Sequence, residues 1–534
     1  MHQRLNKILV LVLSLGPLCL CGETSFAQDQ SPGPTQPKHP TREITVEQAE
    51  RDKGRLEKES EAAFAKNDFR AAEAALRELI PLDHENFVPW YNLACALAMQ
   101  DKLDEAAKML RQSIQRGFVD RSQMESDTQL APLRAADAYR AILTDWDTMA
   151  AIAATRRLEL LKNKYHVGDR GSPYTFELDQ AHHLAYLSAF DPRLFDKAKT
   201  EINQLTTWWE TQVLPADEPW RAAVNPDGKP RPAATVSVLL PTRPDYREWA
   251  QQRYGDLWDR IGGSYSHDEK ALVAMDLGSS MRHEYWHVLH WRHMEALHQR
   301  HPIWVMEGLC SLVEDVDVGP RGEMVPRPSW RTNIAKHLTK LGKAMPWDVL
   351  FKLDQKRFIG ARPLARYAES RAVFLYLAQS GKLRDWYTAY VETWSEDPTG
   401  LAAFTRVFHK PIKEIEKDYR AWCSNLPEVA DEIGRMAANL PVDVDNGNGD
   451  GPVVTSNPAL EAFLTPGSSG DAAAARVGDL HQGDVITAVA GVTVRDLNDL
   501  VHALTDREPG QKVEVAYTRR GKHATTTVTL IPPR

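Results

Sequence analysis

The sequence predicts a multidomain chain of α+β class, with α-helical repeats at the amino terminus, an α+β domain in the centre and a β-rich domain at the carboxy terminus. Three observations carry this. A helical pattern recurs after 34 residues, Asn67–Ala72 returning as Asp101–Ala106. From Ala234 the helical spacing gives way to the strand-like run Ala234–Leu240. The last segment, from Gly483 to Leu530, is built of alternating stretches interrupted by the helical run Leu497–Leu504. With 534 residues, 43% hydrophobic and 26% charged, the composition is that of a globular chain large enough for about three domains. A net charge of −8 without a dense basic stripe argues against a nucleic-acid partner.

Residues 1–27 have the order of a secretory signal: basic His2, Arg4 and Lys7, the apolar run Ile8–Leu20, and Ser25-Phe26-Ala27 as a small-x-small cleavage site. The implied location is periplasmic or extracellular. The apolar run is short for a membrane span and no later segment is longer, so no stable membrane insertion is expected. Cys19 and Cys21 lack the small preceding residue of a lipid-anchor site, which makes that the weaker alternative. Cys95, Cys310 and Cys423 remain after cleavage, too few and too scattered for a disulfide framework. Residues 28–45, rich in Pro, Gln and Ser, form a flexible linker.

Helical repeats are expected over 46–150. Trp90, Leu93, Ala94, Ala106 and Leu110 stand where the tetratricopeptide repeat keeps its packing residues, and the second copy resembles that family. The first copy keeps Ala72 and Leu76 but has Ser60 at a small-residue position, and a decayed third unit falls around Leu130–Trp146. Such a module either docks peptides or caps the next domain.

The central domain is expected over 151–440, mainly helical to residue 230, with Trp208 and Trp209 buried. A helix follows at Asp245–Tyr254, and Gly262–Tyr265 and Lys270–Asp276 form sheet edges. They lead into Met281–His290, which contains His-Glu-x-x-His at His283, Glu284 and His287. Residues i and i+4 of a helix lie about 40° apart around its axis and about 6 Å apart along it. Both imidazoles can therefore reach one tetrahedral Zn²⁺, while Glu284 stands beside it as a proton carrier. A third ligand is needed. His293 lies ten residues after His283, but ten residues of unbroken helix carry it about 15 Å down the axis. Pro302 opens a new helix, Ile303–Glu314, that can fold Glu307 back over the histidine pair.

The arrangement His-Glu-x-x-His followed by Trp304-Val305-Met306-Glu307-Gly308 and Glu314 resembles the gluzincin metallopeptidases, and the domain is similar to peptidase MA-like domains of exported bacterial proteins. The resemblance implies that Glu307 is the third zinc ligand, that Glu314 is a carboxylate behind the ligands, and that a sheet lies above the active-site helix with a helical lobe below. Cys310 replaces the small residue of the pattern and is expected to be a packed hydrophobe facing away from Glu307. His290, His298 and His301 are expected at the surface or behind the ligands. Aminopeptidase-N type gluzincins also carry a tyrosine some sixty residues after the glutamate ligand. Tyr367 stands at that distance, at the start of Tyr-Ala-Glu-Ser-Arg-Ala-Val-Phe-Leu-Tyr-Leu, so the resemblance makes it the donor to the oxyanion and leaves Tyr376 as packing. Those enzymes bind a free amino terminus with the Glu of Gly-x-Met-Glu-Asn. The matching stretch, Gly262–Ser266, has no carboxylate, and only Asp268 or Glu269 could substitute.

Residues 441–458 are expected to be a linker, their Asp, Asn and Gly lacking the spacing of a calcium loop. Residues 459–534, with Gly483–Gly491 and Gly510–Val515, resemble the PDZ domains of bacterial periplasmic proteases, although the carboxylate-holding loop is not recognisable in Phe463–Leu480. The sequence thus points to an exported zinc endopeptidase acting on a peptide or protein substrate, with further protein partners through the repeats and the PDZ domain. A non-catalytic peptide-binding adaptor and a zinc hydrolase of a non-peptide amide are the alternatives.

Overall fold

Helical and alternating patterns resolve into separate hydrophobic cores in this computed structural model. It describes residues 46–215, 234–255, 261–318, 323–360, 362–429, 438–445, 450–456, 477–504 and 507–532. The expected signal segment 1–27 and the linker 28–45 both lie outside these residues.

The amino-terminal part is helical: α1 (Val46–Ala65), α2 (Phe69–Leu79), α3 (Phe87–Ala98), α4 (Leu103–Gln115), the short α5 (Arg121–Ser126) and α6 (Ala131–Arg134), and α7 (Asp137–Lys164). Asp68 and Asn86 start α2 and α3 by accepting from the amides of Ala71 (3.1 Å) and Val88 (3.0 Å). Ala72, Leu76, Leu93, Ala94, Ala106 and Leu110 are buried in one core, which Tyr139, Ile142 and Trp146 of α7 complete. Alanine at the closest approaches lets the helices meet. Trp90 is half-buried, with the Arg116 guanidinium 4.1 Å above its ring.

The central part holds a five-stranded sheet in the order β1 (Thr175–Asp179), β2 (Leu184–Ser188), β3 (Val236–Leu240), β5 (Ala271–Ala274), β4 (Gly263–Ser266). β2, β3 and β5 run parallel, and β1 and β4 are antiparallel edges. The hairpin β1–β2 corrects the helical expectation for this stretch. Leu184-Ala185-Tyr186-Leu187 is buried on both faces, and such a run has no period that separates a strand from a buried helix. Beside the sheet lie α8 (Pro192–Gln212), α9 (Arg243–Tyr254) and α10 (Ser279–Leu297), with Trp208 and Trp209 of α8 each 5.2 Å from Trp286 of α10.

His298, left-handed at φ 52°, ends α10, and α11 (Ile303–Leu312) follows Pro302. The hairpin β6 (Val316–Val318) and β7 (Met324–Pro326) leads into α12 (Trp330–Lys340), the short α13 (Trp347–Leu350) and α14 (Gln355–Ile359), and α15 (Pro363–Gln379). The central helices end with α16 (Leu383–Thr393), α17 (Leu401–Phe408) and α18 (Ile412–Ser424). Two contacts hold α11 in place. Trp304 stacks on Phe351 at 3.7 Å and on Phe374 at 5.3 Å. At Gly308 a Cβ would stand 2.6 Å from the Phe374 ring, so only glycine lets α11 lie this close to α15.

The carboxy-terminal sheet has the order β13 (Lys522–Thr529), β12 (Lys512–Arg519), β10 (Val485–Val489), β9 (Val453–Ser456), β8 (Asp443–Asp445), with β11 (Val492–Thr493) also on β10 and α19 (Leu497–Leu504) packed alongside. β8 and β9 come from the stretch expected to be a linker over 441–458. Its Asp and Gly content masked the apolar positions Val444 and Val454, which join the core of this sheet. Among the described residues no helix is long and apolar enough to cross a membrane.

The amino-terminal helices meet the central domain at the far end of α10. Buried Asp120 accepts from Arg300 at 2.9 Å, and the Val119 amide donates to the Asp268 carbonyl at 2.9 Å. His267 stacks on Trp291 of α10 at 4.4 Å, and Lys270 reaches Glu295 at 3.3 Å.

Candidate metal centre

Helical spacing on α10 turns His283 and His287 to one side, with ring centroids 4.9 Å apart. Across from them α11 brings Glu307, whose Oε2 lies 3.3 Å from His283 Nε2 and 3.6 Å from His287 Nε2. A tetrahedral zinc with bonds of about 2.0–2.1 Å spaces its ligand atoms by about 3.3 Å. Both separations are near the edge of such a tetrahedron, and the chemistry of the set, two imidazoles and a carboxylate, suits zinc. The three side chains retain only 11–13% exposure, enough to leave one approach open.

The protein holds these donors from behind. His283 Nδ1 lies 2.9 Å from Glu314 Oε1, which fixes the ring and turns Nε2 toward Glu307. Glu314 in turn accepts from Arg331 Nη2 at 3.0 Å. Burial works against charge on both carboxylates, yet Arg331 and His283 bring Glu314 down to about 2, and the histidine pair holds Glu307 well below the usual range. Burial also opposes a charged His283, but Glu307 and Glu314 outweigh it and push the imidazole up to about 10. These partners place a positive charge between the imidazole and the carboxylates, whether a proton or a metal ion supplies it.

Glu284 lies beside the donors and outside the set. Burial lifts its carboxyl above the ordinary value, against the pull of His283, His287 and the Tyr265 amide. Its side chain rests on edge strand β4, where a Cβ at Gly263 would stand 2.7 Å from Glu284 Cγ. Gly263 thus gives the carboxylate its room. Tyr367 of α15 is half-buried, its ring 5.3 Å from Phe358 and 5.4 Å from the Arg331 guanidinium. Burial and then the charge of Glu307, with Glu284 and Glu314 adding to it, keep its phenol protonated well above the usual value despite Arg331. The structure therefore brings His283, Glu284, His287, Glu307 and Tyr367 into one neighbourhood.

Cys310 differs from expectation. It is buried, but positions i and i+3 share a helix face, so it follows Glu307 toward the histidines. Ligand atoms of Cys310, His283 and His287 lie within 4.8 Å of one another. The thiol is therefore a rival to Glu307. The Glu307 distances of 3.3 and 3.6 Å match the tetrahedral edge, and on that ground the carboxylate is the better third donor.

The remaining histidines lie elsewhere. His293 is hydrogen-bonded to Tyr387 at 2.9 Å, away from the donors. His290 and His301 bond each other at 2.8 Å inside the core, which corrects the expectation that they stand at the surface or behind the ligands, while His298 is exposed. Tyr376 packs on Phe408 and Trp422. Glu269 pairs with Arg253 at 3.6 Å and Asp268 lies at the seam with the amino-terminal helices, so neither supplies a carboxylate to the site. Sequence reasoning did not single out Arg331 and Arg282. Arg282 donates from Nε to the Val313 carbonyl (3.1 Å) and from Nη2 to the Glu314 carbonyl (2.6 Å), and nothing in its type distinguishes it from a surface arginine.

No curated protein matches the chain. Among solved structures the chain is similar to a crystal structure of an aminopeptidase N family protein from Idiomarina loihiensis, at 12% identity and a TM-score of 0.25, over 68% of this chain and 67% of that one. Residues 451–530 match the PDZ domain family, and the carboxy-terminal domain of this chain is a PDZ domain.

Proposed function

We propose that the chain is an exported zinc metallopeptidase of gluzincin type that cleaves within peptides. The convergence of His283, His287 and Glu307 on one point, with Glu284 beside it, carries the reading. Zinc held by these three residues would polarise the scissile carbonyl and bring the ionisation of water near neutral pH. Glu284, its basicity raised by burial, accepts the proton of the attacking water and returns it to the leaving amine. β4 is the last strand of its sheet and touches Glu284 through Gly263, so an extended peptide added to that edge would lie alongside the proton carrier. That edge carries no carboxylate to pair with a free amino terminus, and an unpaired buried ammonium is costly, which favours internal cleavage. The PDZ domain supplies a second place for peptide partners.

The test is zinc quantification on the purified mature protein together with cleavage of a library of end-blocked peptides, before and after chelation. One zinc per chain and chelator-sensitive internal cleavage are expected. Metal-free protein, or strong preference for unblocked aminoacyl anilides, would reject the reading, and metal-bound protein inert on peptides would point to a non-peptide amide.

In this reading Tyr367 donates its hydroxyl to the oxyanion. Tyr367→Phe should keep zinc, fold and KM and lower kcat about a hundredfold, the scale of losing one such donor. A change below about threefold would leave Tyr367 a packing residue.

A further inference from the structure

The metal-bearing helix α10 gets no cap from the residue at its own capping position. Its capping position is Gly278, which offers no acceptor. The amides of its first turn have no partner within the helix and need one elsewhere. Asp276 takes two amides, accepting from Gly278 at 2.9 Å and Ser280 at 3.0 Å. The amide of Ser279 is met from 217 residues away: Asp496 of the PDZ domain accepts it at 3.2 Å and accepts the Ser279 hydroxyl at 2.9 Å through the same oxygen. The other oxygen of Asp496 accepts the Asp499 amide at 2.7 Å and so caps α19. One buried carboxylate therefore faces the positive ends of two helices. Around it a network of ion pairs joins the two domains. Arg495 pairs with Glu201 of α8 and with Asp499 (3.0 Å), and Arg282, next to His283, lies 3.4 Å from Glu201 and 3.9 Å from Asp499. Gly278 permits the approach, since a Cβ there would stand 2.7 Å from Asp496 Oδ2.

We propose that Asp496 is a positioning residue for the metal centre: beside Asp276, the PDZ domain supplies part of the amino-terminal cap of the helix that carries His283 and His287. Asp496 touches no donor atom. It holds Ser279 and, with Asp499 and Glu201 around Arg282, fixes the first turn, directly ahead of His283. Arg282 also grips the carbonyl of Glu314, whose carboxylate orients His283, so the PDZ contact and the outer partner of the ligand share one guanidinium. The role in metal binding rests on the metallopeptidase reading, whereas the capping itself does not.

The experiment uses the full mature chain. Asp496→Ala removes both acceptor oxygens, and Asp496→Asn keeps one and puts an NH2 donor in place of the other. Hydrogen exchange of residues 279–282 is measured on the metal-free protein, and zinc affinity by competition with a chelator. Asp496→Ala should speed exchange in that turn by about tenfold, the scale of a lost cap, and weaken zinc binding about three- to tenfold. Asp496→Asn, with one oxygen left for two helix starts, should fall between the parent and Asp496→Ala in both. Unchanged exchange in Asp496→Ala would overturn the capping role. Faster exchange with unchanged zinc affinity would overturn the positioning role alone. A chain that bound no zinc would reject the metallopeptidase reading while the exchange result still decided the cap.

Discussion

Glu284→Gln is expected to bind zinc like the parent protein and to lose about 10²–10⁴-fold in kcat. The amide has nearly the volume of the carboxylate, so it fits the same space against Gly263 and leaves His283, His287 and Glu307 in place. What it lacks is the ability to take a proton from water and hand it on. Metal content and turnover measured on the same preparation separate the two functions. Full activity in a folded, zinc-loaded Glu284→Gln protein would remove Glu284 from the mechanism.

Glu307→Ala should lose both metal and activity. The penalty should exceed the 10–100-fold that loss of an outer partner typically costs, because a direct donor is removed. Cys310→Ala is the companion. If Glu307 is the third ligand, the alanine variant keeps zinc, and its cobalt-substituted form has the same near-ultraviolet spectrum as the parent. A thiolate-to-cobalt charge-transfer band in the parent that vanishes in Cys310→Ala, with metal retained in Glu307→Ala, would give the position to the thiol.

The part of the site that was legible in the sequence is the part that helix geometry dictates. His283 and His287 face one way because they are four residues apart, and the break at Pro302 allows α11 to return with Glu307. The same rule, applied to Cys310, should have turned it toward the histidines, but its apolar character obscured the spacing. Other features depend on pairings that no local pattern encodes. Leu184–Ser188 is a central strand only because β3 lies beside it, and Val453–Ser456 is a strand because β10 and β8 flank it. Arg331 belongs to the site through an ion pair with Glu314 seventeen positions away, and Asp496 through a hydrogen bond across 217.

The seam at Asp120 has a consequence for dissecting the protein. Arg300, His267 and Lys270 face the buried Asp120 carboxylate and Glu295 there. Excising the central domain would take Asp120 from Arg300 at one end of α10, and Arg495 from Glu201 and Asp496 from Ser279 at the other. The smallest fragment able to keep this helix rigid therefore runs from the first helices to the last sheet. Heating the intact chain should melt its flanking modules together with its centre, in one calorimetric transition.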